Sequence, residues 1–180
     1  MENVKLNISS AEANKLPSNI EAEQSLIGSV LVNNDIIDEV SNIVNSNKFF
    51  DPIHKKIYEV IETLNNKGMI ANPITLKNYF EKDSGLNEVG GVDYLVKLTR
   101  FSSSIKQAID YAKIIHEMYV KRELIFISDQ ISDEAKDEKV EKTGENIIED
   151  AEKSLFDLAE RGNFTQTFRS EEHTSELQSP

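Results

Sequence analysis

Apolar residues recur every three or four positions in the first part of the chain, a spacing typical of amphipathic helices. The first helix is predicted to begin with a capping-box pattern, Ser18 to Glu21. A second is predicted over 34–44, where the opening Asn-Asp pair offers two suitable caps and the apolar face must be buried. A third is predicted to begin at Asp51-Pro52, because the N–H that proline lacks would be unpaired at a helix start anyway.

Two further short helices are predicted, one opened by Pro73 and closed by Gly85, the other beginning near Gly91. The five helices together predict a small helical head over residues 17–103. Residues 1–16 are polar and show no sustained period, so we expect a flexible amino-terminal arm there.

The pattern changes after Ser104, because no glycine or proline occurs from Ile105 to Thr143. An unbroken helix to about Lys136 would be about 50 Å long at ~1.5 Å per residue, too long to lie within the head. The polar segment KDEKVEKTG then turns the chain, and a returning amphipathic helix completes an antiparallel hairpin over 104–162. The predicted fold class is therefore all-α, a helical head followed by a projecting helical hairpin.

The long helix carries two apolar stripes at helical spacing. The first comprises Ile105, Ile109, Ala112, Ile115, Tyr119 and Phe126, and the second comprises Tyr111, Ile114, Met118 and Ile125. One stripe can meet the returning helix, and the other then needs a partner outside the hairpin, for which we predict a second copy of the chain. The hypothesised self-association residues are Tyr111, Ile114, Met118, Ile125, Leu155 and Leu158. The alternatives are that the head covers both stripes or that the second stripe is too weak to matter.

The charge and composition of the chain argue against DNA binding by this segment and against a membrane protein. Thirty-two acidic residues against 20 basic ones give a net charge of -12, which predicts poor binding to DNA by this segment alone. The chain has no cysteine and no apolar run of membrane-spanning length, so we expect a cytoplasmic protein without a membrane partner. Residues 169–180, RSEEHTSELQSP, resemble a translated sequencing adapter, so we exclude them as non-native.

The motifs of nucleotide and metal chemistry are not found in the sequence. Neither G-x-x-x-x-G-K-[ST] nor G-x-G-x-x-G occurs. His116-Glu117 resembles the start of H-E-x-x-H, but Val120 stands where the second zinc ligand belongs, so His116 is interpreted as solvent-facing or capping. His54 receives the same interpretation. Glu21 and Glu23 project to different sides of a helix and form no catalytic pair.

One acidic cluster was also considered as a metal site. Asp133, Glu134, Asp137 and Glu138 lack the glycine and the spacing of a calcium loop, which favours a solvated turn. We therefore expect no catalytic, cofactor or metal site in this chain.

Five segments, in order, resemble the amino-terminal domain of the DnaB family of bacterial replicative helicases. They are LPSNIEAEQSLIGSVLVNND, FFDPIHKKIYEVIETL, PITLKNYFE, GLNEVGGVDYLVKL and IDYAKIIHEMYVKRELI, within Leu16 to Arg161. The most specific pieces are Glu21 to Ser25 with Gly28, Phe50 to His54, and Gly90-Gly91 leading to Tyr94-Leu95.

This resemblance implies a collar domain. In the family, hairpins pair, and three pairs form a collar above six RecA-like motor domains that use ATP and Mg and act on single-stranded DNA. The collar is also where primase and helicase loaders dock. The resemblance implies that residues 163–168 begin a linker, that the natural protein continues past Phe168, and that this chain alone is inactive. The alternatives are a helical adaptor without a replication role and a segment with hydrolytic activity of its own.

Overall fold

The computed structural model describes residues 15–81, 84–139 and 141–161, and within them all regular structure is helical. The helices are α1 (Ile20–Val32), α2 (Asp35–Val40), a 3₁₀ helix (Ser46–Lys48), α3 (Pro52–Asn66), α4 (Pro73–Phe80), α5 (Ser84–Glu88), α6 (Val92–Thr99), α7 (Ile105–Lys136) and α8 (Gly144–Arg161). The predicted all-α class is confirmed. The expected arm up to residue 14, the linker 163–168 and the segment 169–180 lie outside the described residues.

Helix starts follow local capping chemistry. Asp51 caps α3 by accepting from the N–H groups of Ile53 and His54, as predicted. The cap of α1 is Asn19, whose side chain accepts from the Ala22 N–H, so the prediction of Ser18 was wrong by one position. Because the helix begins at Ile20, Ser18 lies too far upstream to reach the free N–H groups of the first turn.

The connection after α1 differs from the prediction. Helix α2 ends at Val40 instead of continuing to Val44, and neither candidate acts as a side-chain cap. The Asn34 amide instead donates to the carbonyls of Val30 and Ala71, and its oxygen accepts from the Ala71 N–H at 2.6 Å. Asn34 therefore ties the end of α1 to the loop before α4.

Among the residues that the structure describes, the head has six α-helices rather than five, because Gly85 lies inside α5 instead of closing the region. Helices α1 and α6 approach each other closely at Gly28. A Cβ added to Gly28 would stand 2.0 Å from the Leu98 carbonyl oxygen, so only glycine fits at this crossing.

The first half of α7 is part of the head. Ala108, Ala112 and Ile115 are buried in the same core as the side chains of α1, α2 and α3. In this half of α7 the head therefore covers members of both apolar stripes, as the first of the two alternatives predicts, whereas Phe126 at the end of the first stripe stays exposed. The predicted extent of α7, Ile105–Lys136, is confirmed.

The second half of α7 pairs with α8 in the predicted antiparallel hairpin. The seam between them is lined by Ile127, Gln130, Ile131 and Glu134 on α7 and by Ile147, Asp150, Ala151 and Ser154 on α8. Near the turn, the Lys142 ammonium group lies 2.8 Å from both the Glu134 and the Asp150 carboxylates, which joins the two helices.

Candidate self-association surface

The six predicted self-association residues occupy different environments. Tyr111 and Ile114 are half-buried and pack against the core of the head, and Met118 is also half-buried. Leu158 is 8% exposed, so its own chain covers it. Ile125 and Leu155 remain open, at 39% and 44% exposed.

Ile125 and Leu155 do not lie on one surface. Ile127 faces α8, and Ile125 precedes it by two residues, about 200° around the helix, so Ile125 points away from α8. Leu155 follows a seam residue of α8 and lies beside the seam. The structure therefore separates the second stripe of α7 from the exposed residues of α8.

A different set of residues forms a continuous apolar strip. The residues that line the seam fix how each helix is rotated about its own axis. For two antiparallel helices in these orientations, Leu124 of α7 lies on the same side of the hairpin as Ile148 and Leu155 of α8. These three side chains are 43%, 59% and 44% exposed, and we call them the apolar side of the hairpin. Small exposed residues, Ser128, Ala135 and Ala159, lie around them and leave room for close approach.

The opposite side of the hairpin has a different character. Phe126 is 67% exposed there, but its neighbours on that side are polar, among them Gln130, Asp150 and Asp157. Leu124 and Ile148 are not among the predicted residues, because periodicity does not reveal which face of α7 packs on α8. The seven-residue spacing of Ile148 and Leu155 was the available signal.

A chain of buried polar groups crosses the head. The Glu23 carboxylate lies 2.7 Å from His54 Nδ1, and His54 Nε2 lies 2.7 Å from the Tyr94 hydroxyl. The Glu23 and His54 side chains are 2% and 1% exposed. The interpretation of His54 as a solvent-facing or capping residue was wrong, because α1 and α6 enclose its ring. The sequence analysis also did not identify Glu23 as its partner.

His116 is buried as well, at 6% exposed, so its interpretation as solvent-facing or capping was wrong. Burial and, to a smaller extent, the nearby Lys48 ammonium lower the pKa of its imidazole to about 4. His116 is therefore neutral at physiological pH and contributes to the packing of α7 against the 3₁₀ helix.

Metal-binding and membrane-spanning features are absent from the described residues 15–81, 84–139 and 141–161. Among these residues, no group of three or more histidine, aspartate or glutamate side chains is arranged to hold a metal ion. No helix in the same residues is both long and apolar enough to cross a membrane.

Comparison with known proteins decides the family. The family described as DnaB-like helicase N terminal domain matches residues 15–117, more than half of the chain. The chain belongs to this family. Replicative DNA helicase DnaB of Rickettsia bellii is 42% identical over 156 residues, which cover 87% of this chain and 31% of that protein. DnaB of Buchnera aphidicola is 30% identical over 147 residues.

Two solved structures of the family share the fold. The N-terminal domain of DnaB helicase from Mycobacterium tuberculosis superposes with a TM-score of 0.72 at 24% identity and covers 79% of this chain and 99% of that one. A DnaB-like replicative helicase, described with its interactions with primase, gives 0.62 at 22% identity and covers 86% of this chain and 35% of that one. The chain spans about a third of the curated relatives' length.

The segments that carry the DnaB resemblance meet inside the head. Glu23 from the first segment, His54 from the second and Tyr94 from the fourth form this polar chain. Gly28 permits the close contact with Leu98. These segments therefore contribute to the packing of the head, and of the apolar side only Leu124 lies within them.

Proposed function

We propose that this chain is the collar-forming N-terminal domain of a longer replicative helicase and that it self-associates through the apolar side of the hairpin. The observation that carries the proposal is the open strip of Leu124, Ile148 and Leu155 on a domain whose named relatives are replicative helicases. In the proposed parent protein, an ATP- and Mg-dependent motor outside this chain unwinds DNA. A helical adaptor without a role in replication is not favoured, because the relatives share both the sequence and the fold.

The proposed occupant of the apolar side is the same surface of a second copy. A two-fold axis brings identical patches together, so an apolar strip flanked by small residues is complementary to itself. Two hairpins paired in this way form a four-helix arrangement. In it, each hairpin covers the apolar side of the other.

The test is sedimentation velocity over a concentration series, comparing the wild-type chain with the double variant Leu124→Asp/Leu155→Asp. Each aspartate would place an unpaired carboxylate in the contact, so the variant is expected to remain monomeric at concentrations where the wild type dimerises. Ile74→Asp is the matched control, because it makes the same chemical change at a 79% exposed position of the head. A double variant that associates like the wild type would contradict the proposed surface.

The collar is also proposed to dock primase and a helicase loader. The solved DnaB-like helicase described with primase supports this proposal for primase. Co-elution of this chain with the primase of the same organism tests it, with the double aspartate variant included to separate docking from self-association. An ATPase assay on the isolated chain is expected to give no activity, which tests the alternative of a self-sufficient hydrolase.

A further inference from the structure

Arg122 stands where α7 leaves the head. Its two terminal nitrogens donate to different main-chain carbonyls, Nη1 to Pro17 at 2.8 Å and Nη2 to Lys48 at 2.7 Å. The guanidinium also lies over the Phe50 ring, 5.4 Å from its centroid. One side chain of α7 thus holds two loop segments of the head.

The segment 48–51 is held from both sides. From within the head, the Glu23 carboxylate accepts from the Phe50 N–H at 2.6 Å and from the Asp51 N–H at 3.3 Å. From α7, Arg122 binds the Lys48 carbonyl and covers the Phe50 ring. Burial lowers the pKa of Arg122, and the Glu23 carboxylate, which binds the same segment, acts in the opposite direction. Arg122 therefore connects the buried polar chain of the head to α7.

Contact with the core of the head ends near this residue. Ile115 and His116 are buried, whereas in α7 after Arg122, from 123 to 136, no residue is buried. The free part of α7 is about 21 Å long at ~1.5 Å per residue, so a tilt of about 10° at Arg122 moves its end by about 4 Å.

We propose that Arg122 is a positioning residue that fixes the direction of the hairpin relative to the head. The proposal rests on the proposed function in one respect: a fixed direction matters because the apolar side must meet its partner at a set angle. Lysine does not reproduce this arrangement, because all its N–H donors radiate from one nitrogen. The two terminal nitrogens of the planar guanidinium reach carbonyls of separate segments while its face lies over the Phe50 ring.

The test measures the distance between head and hairpin directly. The chain has no cysteine, so spin labels can be attached at Lys77→Cys in the head and Glu138→Cys near the hairpin turn, both exposed positions. Labelled chain is diluted into excess unlabelled chain, so that pulsed electron resonance reports only distances within one copy. Arg122→Gln and Arg122→Lys are expected to shift or broaden the distance distribution by about 4 Å, the displacement from a tilt of about 10°.

Lys121→Gln is the matched control, because it removes a positive charge at the neighbouring position of α7. The Lys121 side chain is exposed, and its ion pair is with Glu117 on the same helix, at 3.8 Å. It should leave the distribution unchanged. A wild-type distribution in both Arg122 variants overturns the proposal. So does unfolding of the head in both, seen by near-ultraviolet circular dichroism, because Arg122 would then stabilise the head rather than orient the hairpin.

The outcome is separable from that of the self-association test. Leu124→Asp/Leu155→Asp is expected to abolish dimerisation without changing the distance within one copy. The Arg122 variants change that distance and leave the apolar side intact. Failure of one test therefore does not imply failure of the other.

Discussion

Replacing Glu23 by alanine should destabilise the head more than any other single change of an acidic residue on α1. The Glu23 side chain is 2% exposed and its carboxylate meets three groups, the Phe50 N–H at 2.6 Å, the Asp51 N–H at 3.3 Å and His54 Nδ1 at 2.7 Å. Truncation leaves these groups inside the protein without their acceptor. Water cannot readily replace it because α1 and α3 pack around the site.

The magnitude follows from the contacts. A buried polar group that loses its partner costs about 1–3 kcal/mol, and Glu23→Ala removes the partner of three such groups. The contact with Asp51 is long, and His54 can exchange its tautomer to relieve part of the loss, so we expect about 4 kcal/mol for Glu23→Ala. Tyr94→Phe removes only the hydroxyl bonded to His54 Nε2 and should cost about 1–2 kcal/mol. The double variant should lose less than the sum, because both changes act through His54.

Urea unfolding followed by tyrosine fluorescence measures these differences. The chain has no tryptophan, and Tyr58, at 1% exposed, reports on the core of the head. Glu21→Ala is the control, since Glu21 lies two residues earlier on α1 with an exposed side chain. If Glu23→Ala were no less stable than Glu21→Ala, the reasoning about the buried network would be refuted.

Two further changes test the packing of the head by the same unfolding assay. Gly28→Ala should lower the free energy of unfolding by about 1–3 kcal/mol, because its Cβ would overlap the Leu98 carbonyl. Gly144→Ala is the control and should be nearly neutral, because nothing lies within 4 Å of the added Cβ. Equal effects of the two changes would contradict the α1–α6 contact. His116 has a pKa of about 4 in the folded chain and about 6.5 unfolded, so the unfolded chain binds the proton first and stability should fall by roughly 2–3 kcal/mol between pH 6.5 and pH 4. His116→Gln should reduce this slope, and an unchanged slope would assign it to other groups.

The elements of this fold could be predicted from sequence because their signals are local. Asp51-Pro52 specifies a helix start through the chemistry of one turn, and the absence of glycine and proline from Ile105 onward allows one long helix. The errors at this level are also local. Ser18 and Asn19 are both good caps, and only the position of the first helical residue distinguishes them.

Contacts between distant segments could not be predicted in the same way. His54 was interpreted as solvent-facing or capping because its partners, Glu23 and Tyr94, are 31 and 40 residues away. The face that α7 presents to α8 depends on which residues of α7 pack against the head. The periodicity of apolar residues does not show where that contact ends. Hence Leu155 was identified as part of the surface, whereas Leu124 and Ile148 were not.

In the proposed dimer, the stability of the hairpin and its association would depend on each other. Among residues 141–161, Leu158 is the single buried side chain, and a lone helix of this length is only marginally stable in water. Covering the exposed halves of Leu124, Ile148 and Leu155 contributes about 1 kcal/mol each, or about 6 kcal/mol for a symmetric pair. The cost of bringing two molecules together is about 4–15 kcal/mol, so these contacts alone support only a weak dimer. Stable association through this side would therefore need other contacts that already hold the copies close together, because these raise the effective concentration of one hairpin near the next.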